Sequence, residues 1–152
     1  MASWADVRRA ALALPGAVED AAGATTAWRV GRRAFAWERL LRPGELRALG
    51  GDAPVGPALG VRVPDPAARA AWLAEHPGAF FLVPAYEPCA MVLVHVERAP
   101  VEALDEAVTE SWLDRAPRRA AQAWLAATGR AVDPAPATGA AGLRRSGERP
   151  GR

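Results

Sequence analysis

Apolar and polar positions along this chain follow two periods, and the switch between them marks out the elements. The sharpest signal is Ala27–Trp37, AWRVGRRAFAW, where aromatic or branched residues recur at every second position on either side of Gly31–Arg32. Alternation of that kind around a glycine-led pair predicts a tight β-hairpin. With a two-residue loop, Val30 faces Arg33, Arg29 faces Ala34 and Trp28 faces Phe35. One side of the hairpin then carries Trp28, Val30, Phe35 and Trp37, and the other carries Ala27, Arg29, Ala34 and Ala36. The run Glu38–Arg42 reads as a prolongation of the second strand up to the Pro43–Gly44 turn.

Helical spacing governs the segments around the hairpin. Ser3-Trp4-Ala5-Asp6 has the form of a capping box, and Trp4, Val7, Ala11 and Leu14 follow on one face, so a helix is predicted from Trp4 to Leu14, stopped by Pro15–Gly16. Residues 17–26 read as a loop. Residues 45–57 are punctuated by glycine and proline and allow at most one helical turn, at Glu45–Leu49. Ala58–Val63 reads as a third strand. Asp65–Pro66 opens a second helix, which runs to about Glu75 with Trp72 and Leu73 inward. Ala79–Val83 and Met91–Val96 are two further strands, joined by the proline-rich 84–88. Pro100 opens a third helix with Val101, Leu104, Val108 and Trp112 on its apolar face, and Pro117 separates a short fourth helix holding Trp124 and Leu125. The order α-β-β-β-α-β-β-α predicts an α+β two-layer sandwich: an antiparallel sheet of about five strands with the helices on one face.

Composition adds limits. The chain's 152 residues fit one domain, and a chain of this size buries roughly 70% of its extended surface on folding. The globular part is placed at 1–128. From Gly129 onward the chain is Ala, Pro, Gly and Arg without an aromatic residue, and this 129–152 tail is expected to stay unfolded. No apolar run is long enough to cross a bilayer, and the N-terminus lacks the pattern of a secretory signal, so a cytoplasmic location is expected. The lone Cys89 excludes an internal disulfide and a cysteine-based metal cluster. His76 and His95 stand apart with no ligand pattern around them. No cofactor or metal is expected.

The isoelectric point of about 9.4 overstates the field of the folded part. Residues 1–130 hold 15 arginines against 15 acidic residues. The excess positive charge sits in the tail, so any anion recognition has to be local.

Several segments together are similar to one family: Ala11–Ala17 (ALALPGA), Trp28–Ala36 (WRVGRRAFA), Phe80–Tyr86 (FFLVPAY), Val92–Val96 and the helix Val101–Pro117 with Trp112 and Ala116–Pro117. In order and spacing, over roughly residues 4–127, they resemble the MmcQ/YjbR family. The resemblance implies that family's frataxin-like, or CyaY-like, two-layer fold and a DNA-binding role. Three positions depart from the family pattern. Thr25–Thr26 stands where relatives carry His-Pro, Ala85 stands where a histidine often precedes the tyrosine, and Cys89-Ala90-Met91 replaces a glycine/aromatic/proline cluster.

Two basic groups are the candidate DNA contacts: Arg29, Arg32, Arg33, Arg39 and Arg42 around the hairpin, and Arg115, Arg118 and Arg119 at the third helix's end. Arginine is the preferred bidentate phosphate donor. The competing expectation is a solvated turn, with Arg39 paired to Glu38 or Glu45. Few phosphates would be neutralised, so binding is expected to be weak and salt-dependent. Glu102, Asp105, Glu106 and Glu110 form an outward acidic stripe, expected to be a solvated face that repels phosphate. No nucleophile–base set and no phosphate-cradling glycine motif is legible, and no enzymatic activity is expected. The alternative is a protein- or small-molecule-binding module, possibly dimeric, for which six tryptophans in a small domain would suit an apolar surface.

Overall fold

A computed structural model describes residues 1–130, so most of the expected tail lies outside the described residues. The elements run α1 (Trp4–Leu12), β1 (Ala17–Asp20), β2 (Ala27–Val30), β3 (Arg33–Arg39), α2 (Pro43–Leu49), β4 (Ala58–Arg62), α3 (Pro66–Glu75), β5 (Phe80–Phe81), β6 (Met91–Val94), α4 (Val101–Arg115) and α5 (Arg118–Thr128). Local chemistry sets the helix starts as expected. Ser3 and Asp6 exchange both capping-box bonds, and Asp65 accepts from Ala68 N–H with Pro66 in the first helical position.

The strands form one antiparallel sheet in the order β1-β2-β3-β4-β6-β5. It has six strands rather than five. The additional one is β1, which was expected to be loop and pairs Ala17–Asp20 along the whole of β2. Other boundaries also move. α1 ends at Leu12, β3 stops at Arg39, β5 shrinks to two residues, and the segment after Pro43 forms two turns of helix rather than one. No helix among the described residues is long and apolar enough to cross a membrane.

The main core lies between the sheet and α1, α3 and α4. It gathers Val7 and Ala11 of α1, Trp72 of α3, Leu104, Val108 and Trp112 of α4, and Trp28, Val30, Phe35, Leu59, Val61, Val92 and Val94 of the sheet. The opposite face carries a smaller cluster of Ala58, Val83 and Leu93, partly covered by Leu41, Phe81 and Tyr86.

The hairpin turns at Gly31 (φ 59°), the first central position of a two-residue loop, as a type II′ turn requires. Val30 pairs with Arg33 and Arg29 with Ala34, but the next partners are Trp28 with Ala36 and Ala27 with Trp37. A β-bulge at Phe35 shifts the register by one. An extra residue reverses the alternation beyond it. Phe35 and Ala36 are therefore both buried in the main core, and Trp37 crosses to the opposite face, where it lies over Gly60 and under the Arg62 guanidinium, 5.6 Å from its ring. The expected partner for Trp28 and the expected side for Trp37 are both corrected by that one residue.

Candidate functional site

The hairpin turn does not protrude as an isolated wing. It lies beside the junction of α4 and α5, and the two together wall a groove of about 800 Å³. From the hairpin come Val30, Gly31, Arg32 and Arg33; from the junction come Leu113, Asp114, Arg115, Pro117, Arg118 and the start of α5. Four of the eight candidate arginines thus line one groove. The α4–α5 break is what makes this possible. Pro117 cannot continue α4 and has extended backbone, so α5 starts afresh with Arg118 facing the hairpin turn.

Arg32, Arg33 and Arg118 are exposed, whereas Arg115 is about a quarter exposed and lies 3.2 Å from Asp114. Its buried Nε makes no well-directed hydrogen bond. The first turn of α5 has neither a side-chain cap nor an acidic residue. Helix N-termini attract anions through unsatisfied N–H groups and the helix dipole. Arg118 and Arg119 add positive charge to an end that is already positive, an arrangement that works against the helix unless an anion sits there.

The other four candidates lie elsewhere. Arg29 is on the open face of the sheet, its Nε 3.3 Å from Asp20 and its Nη1 3.5 Å from the carbonyl of Arg32. Arg39 is a structural residue. It grips Glu45 through two bonds of 2.8 and 3.1 Å, with only 14% and 11% of the two side chains exposed, and lies 5.2 Å from the Tyr86 ring centre. The Glu45 bond raises Arg39 above the usual guanidinium range, and the same bond holds Glu45 below the usual carboxylate range. Arg42 is exposed at the start of α2. Six residue steps along β3 at about 3.3 Å each separate Arg33 from Arg39, so Arg39 and Arg42 belong to the other end of the strand. Arg119 is exposed on α5 and does not line the groove.

Sequence reasoning missed the groove's apolar floor: Leu113, Ala116, Ala121 and Leu125. The signal was present in the stripe Ala121–Leu125 of α5, but its pairing with the hairpin depended on how α5 folds back. The groove can hold an anionic group over a partly apolar base, and among the described residues no aromatic side chain lines it.

Comparison with known proteins places the chain. The YjbR family model matches residues 12–114. The uncharacterized proteins Rv2570 of Mycobacterium tuberculosis and Mb2600 of Mycobacterium bovis are each 41% identical over 132 residues, covering 85% of this chain and all of theirs. Among solved structures, Deinococcus radiodurans protein DR2400, with family-model domain DUF419, superposes with a TM-score of 0.55 at 21% identity, over 74% of this chain and 78% of that one.

Proposed function

The chain belongs to the YjbR family, and we propose that it is a non-enzymatic binding protein, acting in the cytoplasm, that holds DNA by its phosphates in the groove between the hairpin turn and α5. The observation that carries this reading is the convergence of Arg32, Arg33, Arg115 and Arg118 on one groove in a folded part whose total charge is balanced. Guanidinium groups at the mouth contact successive phosphates, and the start of α5 offers backbone N–H donors to one of them. With no stacking platform in the groove, the contact is to backbone and not to bases, which favours duplex over single strand.

The test is fluorescence anisotropy of a labelled duplex at low salt. Replacing Arg32, Arg33 and Arg118 together by alanine is expected to weaken binding sharply, while Arg42→Ala leaves it unchanged. Binding that ignores the triple substitution overturns the assignment.

The apolar floor favours a second reading, in which the groove takes an acidic peptide or a small phosphate-bearing molecule with an apolar part. In that case the duplex fails to bind at any salt, and the same arginines control the other ligand.

A further inference from the structure

The helices α1, α3 and α4 pack on one side of the sheet, and the cluster around Ala58, Val83 and Leu93 takes up part of the other. The rest of that second side is open: Val18 is 61% exposed there, and Ala27, Arg29, Trp37 and Arg62 are partly exposed. Trp37 is the largest side chain of this open surface. Its cross-strand partners are Ala27 and Gly60, a methyl group and a bare backbone, so neither overtops the indole. The ring is seated where a Cβ of residue 60 would stand, which fixes it against the sheet.

Arg62 stands beside it and is set apart from the other half-buried arginines. Arg39 is held by Glu45, Arg69 by the carbonyls of Glu87 and Cys89, and Arg98 by Asp52. The Arg62 guanidinium lies 5.6 Å from the Trp37 ring centre, and its Nε is buried with no hydrogen-bond partner. Among the described residues its side chain makes no hydrogen bond and no ion pair. A cation partly withdrawn from water without an acceptor gains most from an anion delivered from outside. Arg29 lies on the same side of the sheet, across β3, in an exposed pair with Asp20 at 3.3 Å, a contact weak enough to exchange for a phosphate. Two strand spacings of about 4.8 Å put Arg29 and Arg62 about 10 Å apart along the sheet. The strands thus present two arginines against one carboxylate here, with an indole between them.

We propose that this open face of the sheet binds single-stranded nucleic acid, with a base stacked on Trp37 and phosphates met by Arg62 and Arg29. The grounds are the unpartnered guanidinium, the charge of the face and the indole beside it. Trp37 supplies the stacking contact that the groove lacks, and it suits any base, because every base has a π-face. A duplex, whose bases already stack on one another, cannot use it. Two cations about 10 Å apart call for more than one phosphate, which a strand provides and a free nucleoside monophosphate does not. The proposal does not depend on what the groove binds.

The full chain supplies its own reporters in the indole N–H resonances of its six tryptophans. The Trp37 resonance is assigned with Trp37→Phe and followed at low salt as single-stranded oligothymidylate is added. It is expected to shift more than any other indole, and to do so in the Arg32→Ala, Arg33→Ala, Arg118→Ala variant as well. Arg62→Gln is expected to weaken the interaction about tenfold, the loss of one charged hydrogen-bonding contact. Arg29→Gln, at an exposed ion pair, weakens it too and carries the test where Arg62→Gln does not fold. A Trp37 resonance that stays in place, or that shifts equally in both of these variants and the unmodified chain, overturns the proposal. A shift lost in the groove variant is relayed from the groove and overturns it. So does an equal shift with a duplex or with thymidine monophosphate. A shift on concentrating the protein alone assigns the face to a second copy and overturns it as well.

Discussion

Ser111 is fully buried, and its hydroxyl joins two orphaned backbone groups. It donates to the carbonyl of Phe35, the residue at the bulge, and accepts from Arg62 N–H at 2.8 Å, at the end of β4. The hydroxyl repairs what the bulge disrupts and pins α4 across β3 and β4. Ser111→Ala leaves a buried donor and acceptor unpaired, so it is expected to cost about 1–3 kcal/mol in denaturant unfolding. Glu110 acts in the opposite sense. Its half-buried carboxyl is raised from 4.5 by burial, with Glu106 and Glu75 adding to the shift and the Trp72 indole and Arg130 opposing it. A carboxyl raised in the folded state ionises more readily when unfolded. The penalty is therefore absent below pH 4.5, grows as pH rises through the window up to the raised value, and is complete above it. Glu110→Gln keeps an acceptor for Trp72 and removes the charge. Its melting temperature is expected to exceed that of the unmodified chain at neutral pH, with the difference vanishing in acid.

At the scale of elements, the bulged hairpin and its neighbour β4 decide which side chains reach which face. Trp37 lies across from Gly60 so closely that a Cβ there would sit 2.2 Å from the indole ring. Gly60→Ala must drive the ring out of its seat and with it the Arg62 contact. The expected loss is about 1–3 kcal/mol in unfolding, with a change in the near-ultraviolet tryptophan signal. The helices other than α2, and the hairpin turn, were legible in the sequence, because caps, prolines and glycine-led turns are local. β1 was not. Ala17-Val18-Glu19-Asp20 shows no strong strand preference, and it becomes a strand because β2 offers it an edge and Arg8 and the Trp28 indole both bond to Glu19. The bulge was hidden for a similar reason, since Phe35-Ala36-Trp37 alternates equally well with and without it. The contact that holds the Phe35 carbonyl at the bulge comes from Ser111, 76 positions away. In the candidate site the arginines were legible as a set but not as a partition. Arg39 stood with its neighbours as a candidate contact and, in the competing expectation, as a partner of Glu38 or Glu45; the helix at Pro43–Leu49 decides for Glu45.

At the scale of the whole molecule, residues 1–130 are balanced in charge, and each sign has its own concentration. The arginine groove lies at the hairpin turn and the start of α5, and Glu102, Asp105, Glu106 and Glu110 of α4 lie with Glu75 at the end of α3, where α5 delivers Arg130. On the proposed function, a phosphate backbone approaches at the groove. Four groove arginines set an upper bound on the contacts that phosphate binding can draw on. The most direct test of that claim is the slope of log affinity against log salt for duplex binding, for the full chain and for the Arg32→Ala, Arg33→Ala, Arg118→Ala variant. About 0.9 counterion is released per phosphate neutralised, so the full chain should give a slope of about −3 to −4, falling to about −1 or flatter when three arginines are removed. A slope that the substitutions leave unchanged would contradict the groove as the site of contact.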